Sequence, residues 1–256
     1  MFDVTPIPAL KDNYIWLLRK DASAAVVDPG DAAPVIDVLQ GEGLSLAAIL
    51  VTHHHQDHQG GIDGLLAHAP SATVFGPAQE FITGRTHPLR GGERVRLAAP
   101  GLDLLDLQVI AVPGHTLGHL AYYGEGGLFC GDTLFAGGCG RLFEGTPRAM
   151  FASLERLAAL PGDTRVYCAH EYTEANLRFA LAVEPGNRAL RRRADEVAAM
   201  RAKGLPTLPS TLAVEKASNP FLRCREPDVV AAARARGTEN DPVAVFAALR
   251  EWKNSF

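Results

Sequence analysis

The ten residues "THHHQDHQGG" (52–61) follow directly on the apolar run "AAILV" (47–51), and they constrain the chain more than any other segment. Four of its nine histidines, with Asp57, fall between positions 53 and 58. So many imidazoles left bare would repel one another on protonation, so the loop reads as a metal site. His53 and His55 are two apart, and extended backbone sends both rings to one side and His54 to the other. Asp57 and His58 lie just past a turn and face a second ion. Nitrogen and oxygen donors of this kind suit zinc, iron or manganese. Gly60 and Gly61 let the backbone pass close by. A helical reading would pair His54 with His58 as in a zincin, but that arrangement needs H-E-x-x-H and the sequence has "HHQDH".

Other segments supply further ligands. The apolar runs "AAILVT", "LQVIAVPG", "LFCG" and "RVYCA" lead to His53, His115, Asp132 and His170. In sheets flanked by helices, ligands gather outside the carboxyl ends of strands, where several loops converge. His115 then gives the first ion a third imidazole, and His170 joins Asp57 and His58 at the second. Asp132, with two oxygens, bridges a pair of ions spaced about 3.5–4 Å apart. A lone histidine at a strand end is ordinarily hydrogen-bonded or exposed, so the cluster is what recruits His115 and His170. Asp28 in "VVDPGD" is expected to orient a neighbouring loop or ligand histidine, as metal-bound imidazoles require. His54 and His119 read as supporting side chains, His68 and His87 as surface residues, and Cys139 as packing or a tight turn.

Residues 1–170 alternate β-rich runs ("YIWLL", "AAVVD", "AAILV", "ATVFG", "LQVIAV", "LAYY", "LFCGD", "RVYCA") with helical stretches near 32–40 and 148–159, the pattern of an α/β sheet covered by helices. Residues 171–256 change character. "TEANLRFALAV", "NRALRRRADEVAAMRAKG" and "DPVAVFAALREWK" space apolar residues by three and four, giving a mainly helical second domain. That part holds 14 Lys/Arg against 11 Asp/Glu, whereas the first 170 residues hold 11 against 18. A surplus so small and so diluted by acids does not suit nucleic acid, but it suits a small anionic ligand. Arg191, Arg192 and Arg193 read as a solvated helix face. Cys130, Cys139, Cys168 and Cys224 lack CxxC spacing and read as reduced, buried thiols. Neither a signal peptide nor a membrane span is indicated, and a cytoplasmic monomer is the expectation.

The motifs "THHHQDHQGG", "PGHTLGH", "GDTLFAGGCGRLFEGT" and "HEYTEANLRFA", with the tail "ENDPVAVFAALREWKNSF", resemble the glyoxalase II (hydroxyacylglutathione hydrolase) family of the metallo-β-lactamase superfamily. The likeness runs over nearly the whole chain. HxHxDH alone specifies only the superfamily, while the "GDTLFAGGCGR" segment and the tail narrow it. The resemblance implies an αββα sandwich with a C-terminal helical domain, divided at residue 170. It implies two metal ions, zinc first among the candidates, held by His53, His55 and His115 and by Asp57, His58 and His170, with Asp132 between them. It also implies glutathione contacts from Arg141, Tyr172, Arg250 and Lys253. Two positions depart from the family pattern: Arg141 stands where many members have Lys, and Phe143 where many have Tyr. Arg keeps the charge and adds bidentate capacity, whereas Phe143 lacks a hydroxyl. By position alone Arg250 and Lys253 read as solvated, and Tyr172 equally as a core residue.

The chemistry expected is thioester hydrolysis. A water shared by two ions, with Asp57 and Asp132 beside it, has its pKa lowered toward neutrality, so no serine or cysteine nucleophile is needed. The alternative within the superfamily is a mononuclear iron dioxygenase acting on glutathione persulfide. From another class, the cluster could serve a non-catalytic metal-binding module.

Overall fold

The computed structural model describes residues 2–97 and 105–256. They form two compact units, Met1–Ala111 with Gly118–Gly131, and Val112–Leu117 with Asp132–Phe256.

The first unit begins with the strands β1 (Asp3–Ala9), β2 (Asn13–Lys20) and β3 (Ser23–Val27), followed by helix α1 (Ala33–Glu42) and β4 (Ser45–Leu50). Two short helices, α2 (Gln56–Gln59) and α3 (Ile62–His68), precede β5 (Thr73–Pro77) and β6 (His87–Leu89). These six strands form one sheet in sequence order, antiparallel from β1 to β3 and parallel from β3 to β6. β1 carries Pro6 opposite Trp16 and Pro8 opposite Tyr14. Proline cannot donate to a ladder, and β1 accordingly lies at the sheet edge. All five residues of β3 and the six from Asn13 to Leu18 of β2 are buried, so both faces of these strands are covered. On one face Ile15, Leu17, Val26 and Ile49 pack with Val35 and Leu39 of α1 and with Ile62 and Leu65 of α3.

Four more strands, β7 (Arg94–Leu97), β8 (Leu105–Ala111), β9 (Leu120–Gly124) and β10 (Gly127–Gly131), run as an antiparallel meander. Two hydrogen bonds fasten the meander to the segment leaving β4. The buried Tyr122 hydroxyl donates to the Val51 carbonyl at 2.7 Å, and Leu120 N–H to the Thr52 carbonyl at 2.9 Å. Burial holds the Tyr122 phenol well above the usual tyrosine range, so it stays a donor.

The second unit opens with the hairpin β11 (Leu134–Phe135) and β12 (Gly138–Cys139), then α4 (Pro147–Ala158) and β13 (Arg165–Cys168). The rest is helical apart from a short strand: α5 (Thr173–Val183), α6 (Arg188–Arg201), β14 (Ser210–Thr211), α7 (Leu212–Ser218), α8 (Pro227–Arg234) and α9 (Pro242–Ser255). Side chains of Thr146, Asn187, Thr211 and Asp241 cap α4, α6, α7 and α9, and Pro147 and Pro242 occupy first turns, where a missing N–H is harmless. Leu177 and Ala180 of α5 pack on Leu190 and Val197 of α6. A chain of ring contacts joins Phe151 of α4, Phe246 of α9, Phe221 and Phe179 of α5.

The β2 to β5, β8 to β10 and β13 runs expected from the sequence are all present to within two residues, as are α1, α4, α5 and α9, while α6 stops three residues short of the stretch read for it. Arg191 and Arg192 are exposed, but Arg193 is not part of a solvated face: its side chain is 16% exposed and donates to the Thr207 carbonyl at 3.0 Å. Three consecutive helical positions fan over about 200°, so one of them turns inward. Among the described residues no helix is long and apolar enough to cross a membrane. All four cysteines are buried thiols.

Removing the Tyr122 hydroxyl leaves the Val51 carbonyl short of its donor. Tyr122→Phe is expected to lower stability by about 1–3 kcal/mol, seen as a lower denaturant midpoint at unchanged slope.

Candidate metal centre and substrate cavity

The first unit gathers His53, His55, Asp57 and His58, and the hydrogen bonds around them decide which ring nitrogens are available. Asp28 follows β3 with a positive φ of 55°, a conformation that aspartate tolerates better than most residues. Its carboxylate accepts Thr52 N–H at 2.8 Å and the Thr52 hydroxyl at 2.8 Å. That hydroxyl has a single proton, so at 3.0 Å it accepts from His53 Nδ1. His53 therefore keeps its proton on Nδ1 and presents a lone pair on Nε2, which stands 3.0 Å from His55 Nδ1. Asp28 also lies 3.1 Å from His58 Nδ1, which leaves His58 Nε2 as the donor atom, 3.6 Å from Asp57 Oδ2. One carboxylate thus sets the tautomer of two imidazoles.

The neighbours of this loop hold its backbone. The Asn13 side-chain amide donates to both the carbonyl and Oδ2 of Asp57. Glu80, whose side chain is 4% exposed, accepts His54 N–H at 2.7 Å, lies 3.0 Å from His54 Nδ1, and accepts Gly118 N–H at 2.8 Å. His119 is buried, stacked on the His53 ring at 4.6 Å, with Nδ1 on the Leu120 carbonyl. Gly131 has φ of 47°, and a Cβ there would stand 2.3 Å from the Thr52 hydroxyl. Only glycine leaves that hydroxyl in place. Asp28, His54 and His119 thus take the supporting places expected of them, and His68 and His87 are exposed. Asn13, Thr52 and Glu80 carried no signal in the sequence beyond Thr52's place beside the histidines.

The second unit gathers His115, Asp132 and His170. His115 Nδ1 donates to the Arg141 carbonyl at 2.8 Å, which frees Nε2, and Nε2 lies 3.4 Å from Asp132 Oδ2. His170 Nε2 lies 3.3 Å from the other oxygen, Oδ1. The carboxylate therefore faces one imidazole with each oxygen. Tyr172 stacks on the His170 ring at 4.7 Å and 3°, and Phe135 meets both rings edge-on. Cβ on Gly140 would stand 1.9 Å from the Asp132 carbonyl oxygen, so the backbones could not approach with any larger residue.

A cavity of about 500 Å³ within this unit is lined by His115, Asp132, Arg141, Phe143, Tyr172, Arg250 and Lys253, among others. The four residues expected to contact glutathione, Arg141, Tyr172, Arg250 and Lys253, line it together with Phe143, the fifth candidate for the substrate site. Arg250 is buried rather than solvated, at 5% exposure, and donates to the Cys139 carbonyl at 2.7 Å. Its buried Nε has no protein acceptor among the described residues. Lys253 donates to the Ala175 carbonyl at 3.2 Å. Burial, then the cations Arg250, Arg178 and Arg141, lower its pKa to about 8. Phe143 is exposed and edge-on to His115 at 5.2 Å. Cys139 is buried beside Arg250, which matches a packing role, and burial raises its thiol pKa.

The donor set fits divalent ions. Donor atoms on one tetrahedral zinc at about 2.0–2.1 Å stand roughly 3.3 Å apart. The donor separations within each unit run from 3.0 to 3.6 Å around that value.

Residues 10–170 match the model of the metallo-beta-lactamase superfamily, and residues 171–256 match that of the hydroxyacylglutathione hydrolase C-terminus. A hydroxyacylglutathione hydrolase of Methylobacillus flagellatus is 58% identical over 256 residues, covering 100% of both chains. One of Cupriavidus taiwanensis is 59% identical over 268 residues, again covering 100% of both. The fold is also that of the crystal structure of ETHE1 from Myxococcus xanthus, with a TM-score of 0.64 at 23% identity over 100% of this chain and 99% of that one. The α/β fold with its helical C-terminal part is thus the one expected, and the chain belongs to the hydroxyacylglutathione hydrolase family of the metallo-β-lactamase superfamily.

Proposed function

We propose that this chain hydrolyses the thioester of S-(2-hydroxyacyl)glutathione, S-lactoylglutathione being the model substrate, to glutathione and a 2-hydroxy acid such as D-lactate. What carries this reading is the Asp132 carboxylate, which offers one oxygen to His115 Nε2 and the other to His170 Nε2. In the proposal His53, His55 and His115 would hold one ion, and Asp57, His58 and His170 a second, with Asp132 available to both. Zinc is the first choice, with iron or manganese as alternatives, since availability often decides among such ions. Residues 1–170 are the catalytic domain and 171–256 the helical substrate-binding domain, with Arg141 and Phe143 of the former also lining the cavity. The buried thiols fit a reducing compartment such as the cytoplasm.

Divalent ions bound by these residues would supply a water of lowered pKa and Lewis-acid polarisation of a carbonyl oxygen. The chain supplies the rest. Asp57 and Asp132 are the acceptors beside which the attacking water is oriented. Asp28, through Thr52 and directly, keeps protons on Nδ1 of His53 and His58, and the Arg141 carbonyl does the same for His115. The Arg141 side chain, Lys253 and the Nε of Arg250 are cationic donors for the carboxylates of the glutathione half. Tyr172 and Phe143 offer ring surface beside the metal ligands. The leaving thiolate, with a pKa near 8.5, departs without a strong general acid.

Asp132→Ala is expected to cut S-lactoylglutathione hydrolysis about 100-fold or more and to reduce the metal content per chain. Full turnover in that variant would overturn the reading. Asp28→Ala, which touches no substrate, is expected to weaken metal affinity about 10- to 100-fold, measured by competition with a chelator, and added metal restores much of its activity.

A further inference from the structure

Lys253 is held in an unusual way for a cation on a C-terminal helix. Its ammonium lies 5.3 Å from the centre of the Phe179 ring and 5.8 Å from that of Phe256. The two rings themselves meet edge-on at 5.4 Å. Phe179 is fully buried in α5 and further fixed by Trp252, edge-on at 5.2 Å. Phe256 is 60% exposed and lines the cavity with Lys253. The ammonium has three N–H groups, of which the Ala175 carbonyl takes one. A free lysine side chain samples many rotamers, and ordering it on binding has an entropic cost. Two aromatic faces and a carbonyl remove that freedom in advance.

We propose that Phe256 is a positioning residue for substrate: with Phe179 it pins the Lys253 ammonium at the cavity wall, ready for a carboxylate of the glutathione half, so that this ring governs affinity and leaves turnover alone. The proposal rests on the thioester reading above for the identity of the anion, while the placement of the ammonium is independent of it.

The charged and titratable groups acting on Lys253 are Arg250 on its own helix, Arg178 on α5, Arg141 after β12, and the Cys139 thiol. Burial pushes the Cys139 thiol up while it lowers Lys253 to about 8, so the titration near pH 8 belongs to the lysine. Below that pH the ammonium is charged and meets the carboxylate; above it the contact is lost. KM of the wild-type holoenzyme should therefore climb as pH passes about 8, while kcat stays level.

The test measures kcat and KM for S-lactoylglutathione across pH in the metal-loaded enzyme. Phe256→Ala is expected to raise KM about two- to five-fold at neutral pH with kcat unchanged. Phe256→Trp should restore wild-type KM, and Phe256→Leu, which has bulk without a ring face, should not. In a Lys253→Met background the Phe256→Ala change should add nothing, because the two act through one interaction. A wild-type KM in Phe256→Ala, or additive effects in the double variant, overturns the proposal. A wild-type enzyme that leaves the thioester intact instead overturns the functional reading. In that case the placement is judged by NMR titration of labelled Lys253, whose midpoint must move in Phe256→Ala and be restored in Phe256→Trp; an unchanged midpoint refutes it.

Discussion

The order of the histidine loop depends on Asp28. A carboxylate that accepts the Thr52 amide, the Thr52 hydroxyl and faces His58 Nδ1 determines where three protons lie. Through the hydroxyl its influence reaches His53. Were Asp28 replaced by a neutral group of equal size, the hydroxyl could turn, His53 could exchange tautomer, and Nε2 would lose its lone pair whenever the proton moved there. Imidazoles are good ligands only when the wrong nitrogen carries the proton, and here the fold sees to that at a distance. Gly131 belongs to the same device, since any side chain there would strike the Thr52 hydroxyl.

The second unit solves a different problem at Arg250 and Lys253, which is to hold two cations with no carboxylate partner among the described residues. Arg250 is buried, yet its guanidinium is directed to a carbonyl and lies 5.1 Å over the Phe221 ring. Lys253 is treated alike, with a carbonyl and two rings. Carbonyl dipoles and ring faces stabilise a positive charge only in part. Had Asp or Glu filled these places, the cations would be satisfied and of little use to an incoming carboxylate. The lowered pKa of Lys253 is the visible sign of that incomplete satisfaction.

Much of this was legible in the sequence because the ligand types are rare and bunched. His53, His55, Asp57 and His58 announce themselves, and strands ending on His115, Asp132 and His170 were visible from apolar runs of the right length. Four of the strands that were not foreseen explain themselves physically. β1 holds two prolines and is tolerated only as an edge, and β11, β12 and β14 are two residues each, too short for any period to register. The placement of Arg250 and Lys253 followed from resemblance, whereas spacing alone pointed to solvent, since a cation facing carbonyls from 78 to 111 residues away has no local signature. Glu80 and Asn13 were invisible for the same reason.

The β11–β12 hairpin, which leads from Asp132 toward Arg141, is completed by side chains that come much later in the chain. Glu215 accepts Gly137 N–H, Asn219 donates to the Phe135 and Gly138 carbonyls, and Arg250 donates to the Cys139 carbonyl. On the ribosome, at about 5–20 residues per second, Arg250 appears roughly 5–20 s after Cys139. The Asp28–Thr52–His58 cluster, by contrast, lies within one short stretch of nascent chain and can set early. Biosynthesis thus delivers the histidine loop first and the hairpin's last hydrogen bond at the end.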